Sequence, residues 1–182
     1  PAVGRGIPSW IQNTFAPEKP GTLVCAQPSS SLPVKGITTI EKIALLNLEG
    51  AGMIGVPGTA HRLFGALREA EVSVVLISQG SSEHSICCAI PAEQAARAAD
   101  AVRAAFEREL AGGQVQDVQV LDELAILAVV GDGMPGLPGV AAKVFQALGG
   151  AGVNVRAIAQ GASERNISVV VAGADATRAL RA

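Results

Sequence analysis

Apolar residues recur along this chain in two rhythms, and the rhythms alternate in the same order twice. Residues 43–48 (Ile-Ala-Leu-Leu-Asn-Leu) are a β-rich run, a Gly/Pro turn follows, and Ala60, Leu63, Phe64, Leu67 and Ala70 then fall at helical spacing. A second apolar strand is predicted over 72–77, a tight connection over 79–85, and a third strand over 86–90 that pairs as a hairpin. Pro91 opens a long helix whose buried stripe is Ala95, Ala99, Val102, Phe106 and Leu110. Glu93/Arg97 and Arg103/Glu107 are spaced on its wet side for i,i+4 support. Residues 116–121 close the unit as a fourth strand.

The pattern then restarts 81 positions later, and about 21 of 48 aligned residues are identical between 43–90 and 124–171. The second copy predicts a strand over 124–130, a helix over 138–148, strands over 153–159 and 167–172, and a helix from Asp175. The order βαββαβ implies an α+β fold: two ferredoxin-like units, each an antiparallel sheet with two helices on one face. A unit of roughly 80 residues buries a modest fraction of its surface, so the two are expected to pack together. The second copy lacks its own fourth strand.

Residues 1–35 break the rhythm. They are rich in Pro, Ser and Gly, with short apolar runs at Ile7, Trp10 and Ile11 and at Thr22, Leu23, Val24 and Cys25, and 27–33 reads as a connector. The expected organisation is an arm and connector over 1–35, a first unit over 36–121 and a second over 122–182. The strand near 22–25 is the candidate to complete the second unit.

Composition narrows the functional classes. The 182 residues are 49% hydrophobic and 3% aromatic, with a net charge of −2 and charges of both signs scattered along the chain. That balance gives no electrostatic case for nucleic acid or an anionic membrane, and too few aromatics for a base-stacking surface. The apolar runs are too short to cross a bilayer and no signal-like segment leads the chain, so a cytoplasmic protein is expected. Cys25, Cys87 and Cys88 are odd in number without metal-like spacing and read as reduced, packed thiols.

Identity between the copies concentrates where core packing does not require it. Gly50, Gly52, Met53, Gly55, Pro57 and Gly58 recur as Gly131, Gly133, Met134, Gly136, Pro138 and Gly139, and Gln79, Gly80, Ser82 and Glu83 recur as Gln160, Gly161, Ser163 and Glu164. The glycines match a GxGxxG dinucleotide fingerprint in form only. Pro57 and Pro138 sit where the helix is just starting, and the second strand ends without the carboxylate about 20 residues on that would hold a ribose. Two readings remain: turns that need φ > 0 and close backbone approach, and a helix start whose unpaired N–H groups seat a carboxylate. The repeated Gln79 and Gln160, whose amides donate and accept at once, add the polar contacts an amino acid would use. Glu83 and Glu164 are either solvated hairpin residues or partners of a ligand ammonium. His61 and His84 read as surface histidines. Asn154 and Arg156 replace Ser73 and Val75, so two such sites would be unequal. No Cys/His or Ser/His pair, metal cluster or flanking carboxylate pair is spaced for catalysis, so no catalytic residue, metal or cofactor is expected in these residues.

The tandem GAGMIGVPG with ISQGSSEHSI, and GDGMPGLPG with AIAQGASERNI, resembles the paired ACT domains of aspartate kinases, most of all the bifunctional aspartate kinase–homoserine dehydrogenases. IPSWIQNTFAPEKPGTLV is similar to the stretch that leaves the kinase domain in those enzymes, and VKGIT matches as well. The resemblance covers almost the whole chain. It implies an allosteric region that senses an end product of the aspartate pathway, threonine in the bifunctional enzymes and lysine in many monofunctional kinases. It places the regulatory glutamines on Gln79 and Gln160. It places effector contacts on Met53, Ile54, Gly55, Val56, Pro57 and Gly58 and on Ser73, Val74 and Val75, to which the repeat itself adds Ser82 and Glu83 as candidates. The second-copy equivalents are Met134, Gly136, Pro138 and Gly139 with Asn154, Val155 and Arg156. The implied partners are an amino-acid effector, the kinase domain of a parent chain and a second copy paired through the ACT units. A lysine-sensing pair and a dimerisation module without ligand remain the alternatives.

Overall fold

A computed structural model describes residues 2–25 and 32–182; residues 27–31 of the expected connector lie outside the described residues. The chain divides into two compact units, residues 1–33 and 34–182. In the first, β1 (Ser9–Ile11) pairs antiparallel with β2 (Thr22–Val24), Trp10 opposite Leu23. The strand expected to complete the second repeat is therefore spent inside the amino-terminal unit.

The second unit carries both repeats. Its elements are β3 (Gly36–Glu49), α1 (Thr59–Glu69), β4 (Leu76–Gln79), β5 (Ser85–Pro91), α2 (Ala95–Ala105), α3 (Glu107–Ala111), β6 (Asp117–Val130), α4 (Val140–Gly150), β7 (Val155–Gln160), β8 (Asn166–Ala172) and α5 (Ala176–Arg181). The strands form one antiparallel sheet of order β4-β5-β3-β6-β8-β7. The strands expected separately over 116–121 and 124–130 are fused in β6, and the one expected over 43–48 extends back to Gly36 in β3, each 14 residues long. These two cross both repeats. Residues 43–49 of β3 pair with β5 and, from Leu45 on, with 117–121 of β6, while residues 36–40 pair with 126–130 of β6. The missing fourth strand of the second repeat is thus residues 36–40, the segment that the 81-residue period sets opposite 117–121. Where each long strand passes between repeats its register shifts, and Lys42 and Glu123, themselves 81 apart, both take φ of 58°. The left-handed residues let each strand turn from one half-sheet into the other.

Alternation along the strands builds three cores. Ala44, Leu46, Leu48, Ile86, Cys88 and Ile90 face Leu63, Leu67, Val102 and Phe106 of the helices. Ala125, Leu127, Val129, Ile167 and Val169 pack with Leu148 and Ala179 in the same way. The helix-free faces meet each other through Ile43, Leu45, Leu76, Leu124, Ile126 and Val170. This explains why 43–46 is a continuous apolar run: both faces of the strand are covered.

Three expectations over local structure are corrected. Residues 72–75 are not strand, because the Val72 N–H closes the end of α1 on the Leu67 carbonyl and the Ser73 N–H donates to Gln94 Oε1. The long helix breaks at Phe106, with φ −112° and ψ 20°, into α2 and α3. Among the described residues Glu93 and Glu107 are not the partners these arginines hold. Arg97 donates to the Glu71 carbonyl at 3.2 Å, and Arg103 to that of Val118 at 2.9 Å.

Candidate functional site

The turn between β3 and α1 is built by close approach at one end and left-handed backbone at the other. Gly50 lies against the backbone of Gln114 and Val115, and a Cβ on Gly52 would stand 2.6 Å from that of Gln114. The Gly52 N–H donates to the Gln114 carbonyl at 2.9 Å. Gly55 and Gly58 take φ of 70° and 89°, which an L-residue adopts only with strain. Gly58 caps α1, and the Thr59 hydroxyl turns back to the Val56 carbonyl at 3.1 Å. The second copy repeats the left-handed end, with Gly136 and Gly139 at 69° and 88° and Gly139 capping α4.

A 290 Å3 cavity opens beside the turn, lined by Met53, Gly55, Val56, Pro57, Gly58, Thr59, Ala60, Gln79, Glu83 and Ile86. Seven of the residues singled out by sequence therefore converge on one space. Gln79 ends β4 and is exposed there. Glu83 is exposed and has a role beside the two expected: Oε2 accepts the Gly55 N–H at 2.8 Å, and Glu83 itself sits at φ 54°. Glu164 does the same for Gly136 at 2.6 Å. The repeated glutamate is a tie between hairpin and turn, which is why both members recur together.

Other expected residues stand apart. Ile54 and Ser82 are exposed outside the lining. Ser73 is engaged with Gln94, Val74 packs toward the helices, and Val75 lines a separate 340 Å3 cleft between the half-sheets. In the second copy Met134 is buried and Pro138 exposed in the turn, while Asn154 and Arg156 are exposed, Val155 is half-buried, and Gln160 ends β7 as Gln79 ends β4. Sequence reasoning missed Thr59, Ala60 and Ile86. The first two follow Gly58 directly and could have been read as the helix's first turn, whose N–H groups lack i−4 carbonyls; Ile86 recurs as Ile167 but is indistinguishable from core.

No parallel strand pair occurs among the described residues, so the glycines do not serve a dinucleotide crossover. Among the same residues no three His, Cys, Asp or Glu gather as metal ligands, and no helix is long and apolar enough to cross a membrane. Cys88 is fully buried and its thiol is pushed up to about 12 by burial and by neighbouring Cys87, whose own thiol is raised by burial.

Behind the turn, Arg62 of α1 reaches Glu109 of α3 at 2.7 Å, and its guanidinium lies 4.0 Å over the Phe106 ring. The hydrogen bond from Arg62 holds the Glu109 carboxyl below its ordinary value. A depressed carboxyl contributes stability that is present above the ordinary value of 4.5 and is lost as pH falls through the lower, folded value. The carboxyl carbon of Glu109, followed by NMR, is expected to titrate below 4.5 and to move back toward it in Arg62→Met; an unchanged midpoint would show that the ion pair does not set it.

Comparison with known proteins follows the two repeats. The family model for the ACT domain matches residues 46–106 and 127–182, one match per repeat. The bifunctional aspartokinase/homoserine dehydrogenase 1, chloroplastic, of Zea mays is 46% identical over 187 residues, covering 100% of this chain. This chain spans 20% of that relative's length. Among solved structures, the ligand-free regulatory subunit of aspartate kinase from Thermus thermophilus is 30% identical at a TM-score of 0.68, over 82% of this chain and 95% of that one. E. coli aspartokinase III in complex with lysine and aspartate is 27% identical at a TM-score of 0.76, over 99% of this chain and 39% of that one. A repeat matched twice by one family model, folded as in a kinase regulatory subunit that it covers almost end to end, places the chain in the ACT-domain family, as a regulatory pair of the aspartate kinase type.

Proposed function

We propose that this chain is the amino-acid-sensing region of an aspartate kinase, and that L-threonine binds in the cavity between the β3–α1 turn and Gln79. The observation that carries this is the convergence of Met53, Gly55, Val56, Pro57, Gly58, Gln79 and Glu83 on one 290 Å3 space. Its chemistry suits an α-amino acid. The first-turn amides of α1 at Thr59 and Ala60 offer a seat for the α-carboxylate. Glu83, with one oxygen on Gly55, has the other for the α-ammonium. The Gln79 amide can give and take a hydrogen bond with a side-chain hydroxyl. Glu83 is the one carboxylate in the lining, so a second ammonium at the end of a lysine side chain would find no partner of its own there. The likeness to bifunctional relatives supports threonine, while the lysine complex of aspartokinase III makes lysine the comparison to run.

In this reading the 182 residues hold no catalytic group, metal or cofactor, and the kinase domain belongs to a longer cytosolic parent that pairs through its ACT units. Effector binding favours one arrangement of the regulatory pair, and only a difference in affinity between two arrangements can shift the kinase. The test is a thermal melt with and without ligand. At 100 times Kd, threonine should add about 2.7 kcal/mol, a rise of roughly 5–10 °C for a chain of this size. Gln79→Ala should weaken threonine binding about tenfold through the lost hydrogen bond. No shift with threonine, lysine, methionine or isoleucine would sink the proposal; a shift with lysine alone would keep the sensor and change its effector.

A further inference from the structure

The turn that walls the effector cavity has a second side. Met53, Val56, Pro57, Gly58 and Thr59 also line a 270 Å3 cavity whose far wall is His61, Arg62, Phe106, Glu109 and Val115. The same short segment thus separates two spaces. Its position depends on how both of its ends are held.

Both ends lead to one residue. At the start, the Gly52 N–H bonds the Gln114 carbonyl, and the N–H groups of Gln114 and Val115 both bond the Glu109 carbonyl, at 2.9 and 3.1 Å. At the finish, the Gly58 carbonyl accepts the Arg62 N–H at 3.0 Å, and the Arg62 side chain reaches the Glu109 carboxylate. Glu109 therefore closes a ring around the turn, with its backbone on one end and its side chain on the other. Phe106, stacked under Arg62, limits where the guanidinium can lie. On the cavity side Glu83 ties the turn from the hairpin through Gly55. In the second copy Lys143 stands where Arg62 stands in the first, and it is exposed.

We propose that Arg62 and Glu109 are positioning residues for the first-copy effector cavity, clamping the turn from the side the effector does not touch. The inference rests on the reading of that cavity as an amino-acid site. A preformed turn spares the ligand the ordering that binding otherwise demands, so loosening the clamp weakens affinity without removing any ligand contact.

Two measurements on the 182-residue chain separate the clamp from the ligand reading. The first is amide hydrogen exchange without ligand: Arg62→Met, which keeps the apolar stem, and Glu109→Gln should each speed exchange at Gly52 and Gly55 roughly twofold or more, with little effect in the β5 and β8 strands. The second is calorimetry with L-threonine. Each substitution should raise Kd roughly two- to fivefold, and the double variant should be no worse than the singles, since the two groups act as one. Arg62→Lys should recover part of the loss. Unchanged exchange at the turn in Arg62→Met overturns the proposal whatever binds. Unchanged Kd in a chain that does bind threonine also overturns it. Faster exchange in a chain whose unsubstituted form binds no amino acid leaves the clamp standing and removes the ligand reading alone.

Discussion

A chain shortened to begin at Val34 is expected to keep a single cooperative melt, whereas one shortened further to begin at Lys42 is expected to lose it. The second cut removes residues 36–40, which bond residues 126–130 of β6 and supply the fourth strand of the second repeat. It also removes Val34, which packs on the second core. Without them β6 is bare along 126–130, on the side away from β8, and an uncovered strand edge invites association. The loss should be on the order of 5 kcal/mol, comparable with the whole stability of a small domain. Circular dichroism melts and size-exclusion chromatography check it: the Lys42 chain should melt broadly or aggregate. Equal transitions in the two shortened chains would return the role to some other strand.

That expectation also marks where the sequence could be read and where it misled. The turn glycines, Gln79 and Glu83 were legible because the chain states them twice, and polar identities between copies have no explanation in core packing. The strand at 36–40 was hidden because Gly-Ile-Thr-Thr-Ile and its counterpart Asp-Val-Gln-Val-Leu share no identical residue, so the match between copies fades just upstream of 43. Extending the 81-residue register by seven positions would have found it. Thr22, Leu23 and Val24 drew attention instead because they are β-formers, yet their partners are Ser9, Trp10 and Ile11 nearby in the chain. Ser73, Val74 and Val75 read as strand for the same reason. There the end of α1 takes the Val72 N–H and the Gln94 side chain takes that of Ser73, so bonding to β5 starts only at Val75, whose N–H reaches the Ala89 carbonyl, and none of Ser73, Val74 and Val75 lines the cavity. The clamp at Arg62 and Glu109 carries no sequence signal, since both look like helix-surface charges and their pairing depends on the break at Phe106.

Phe106 is accordingly the residue whose loss should cost the most of any single side chain. It is 1% exposed, among the largest fully buried side chains, and ends α2 where the chain turns into α3. Phe106→Ala should destabilise the protein by about 3–5 kcal/mol through lost burial and the cavity left behind. Removal of the cation–π contact adds only about 0.5–1 kcal/mol, because Arg62 is partly in water. Phe106→Leu separates the two contributions: it keeps an apolar group in the site while removing the ring face, so its cost should fall well below that of alanine. Urea denaturation of both variants gives the comparison, and a cost below about 1 kcal/mol for alanine would mean that the first core closes over the space. The leucine variant reaches further than stability. If the ring confines Arg62, then Phe106→Leu, though folded, should speed exchange at the turn as Arg62→Met does, because a guanidinium without its aromatic floor spends less of its time on Glu109.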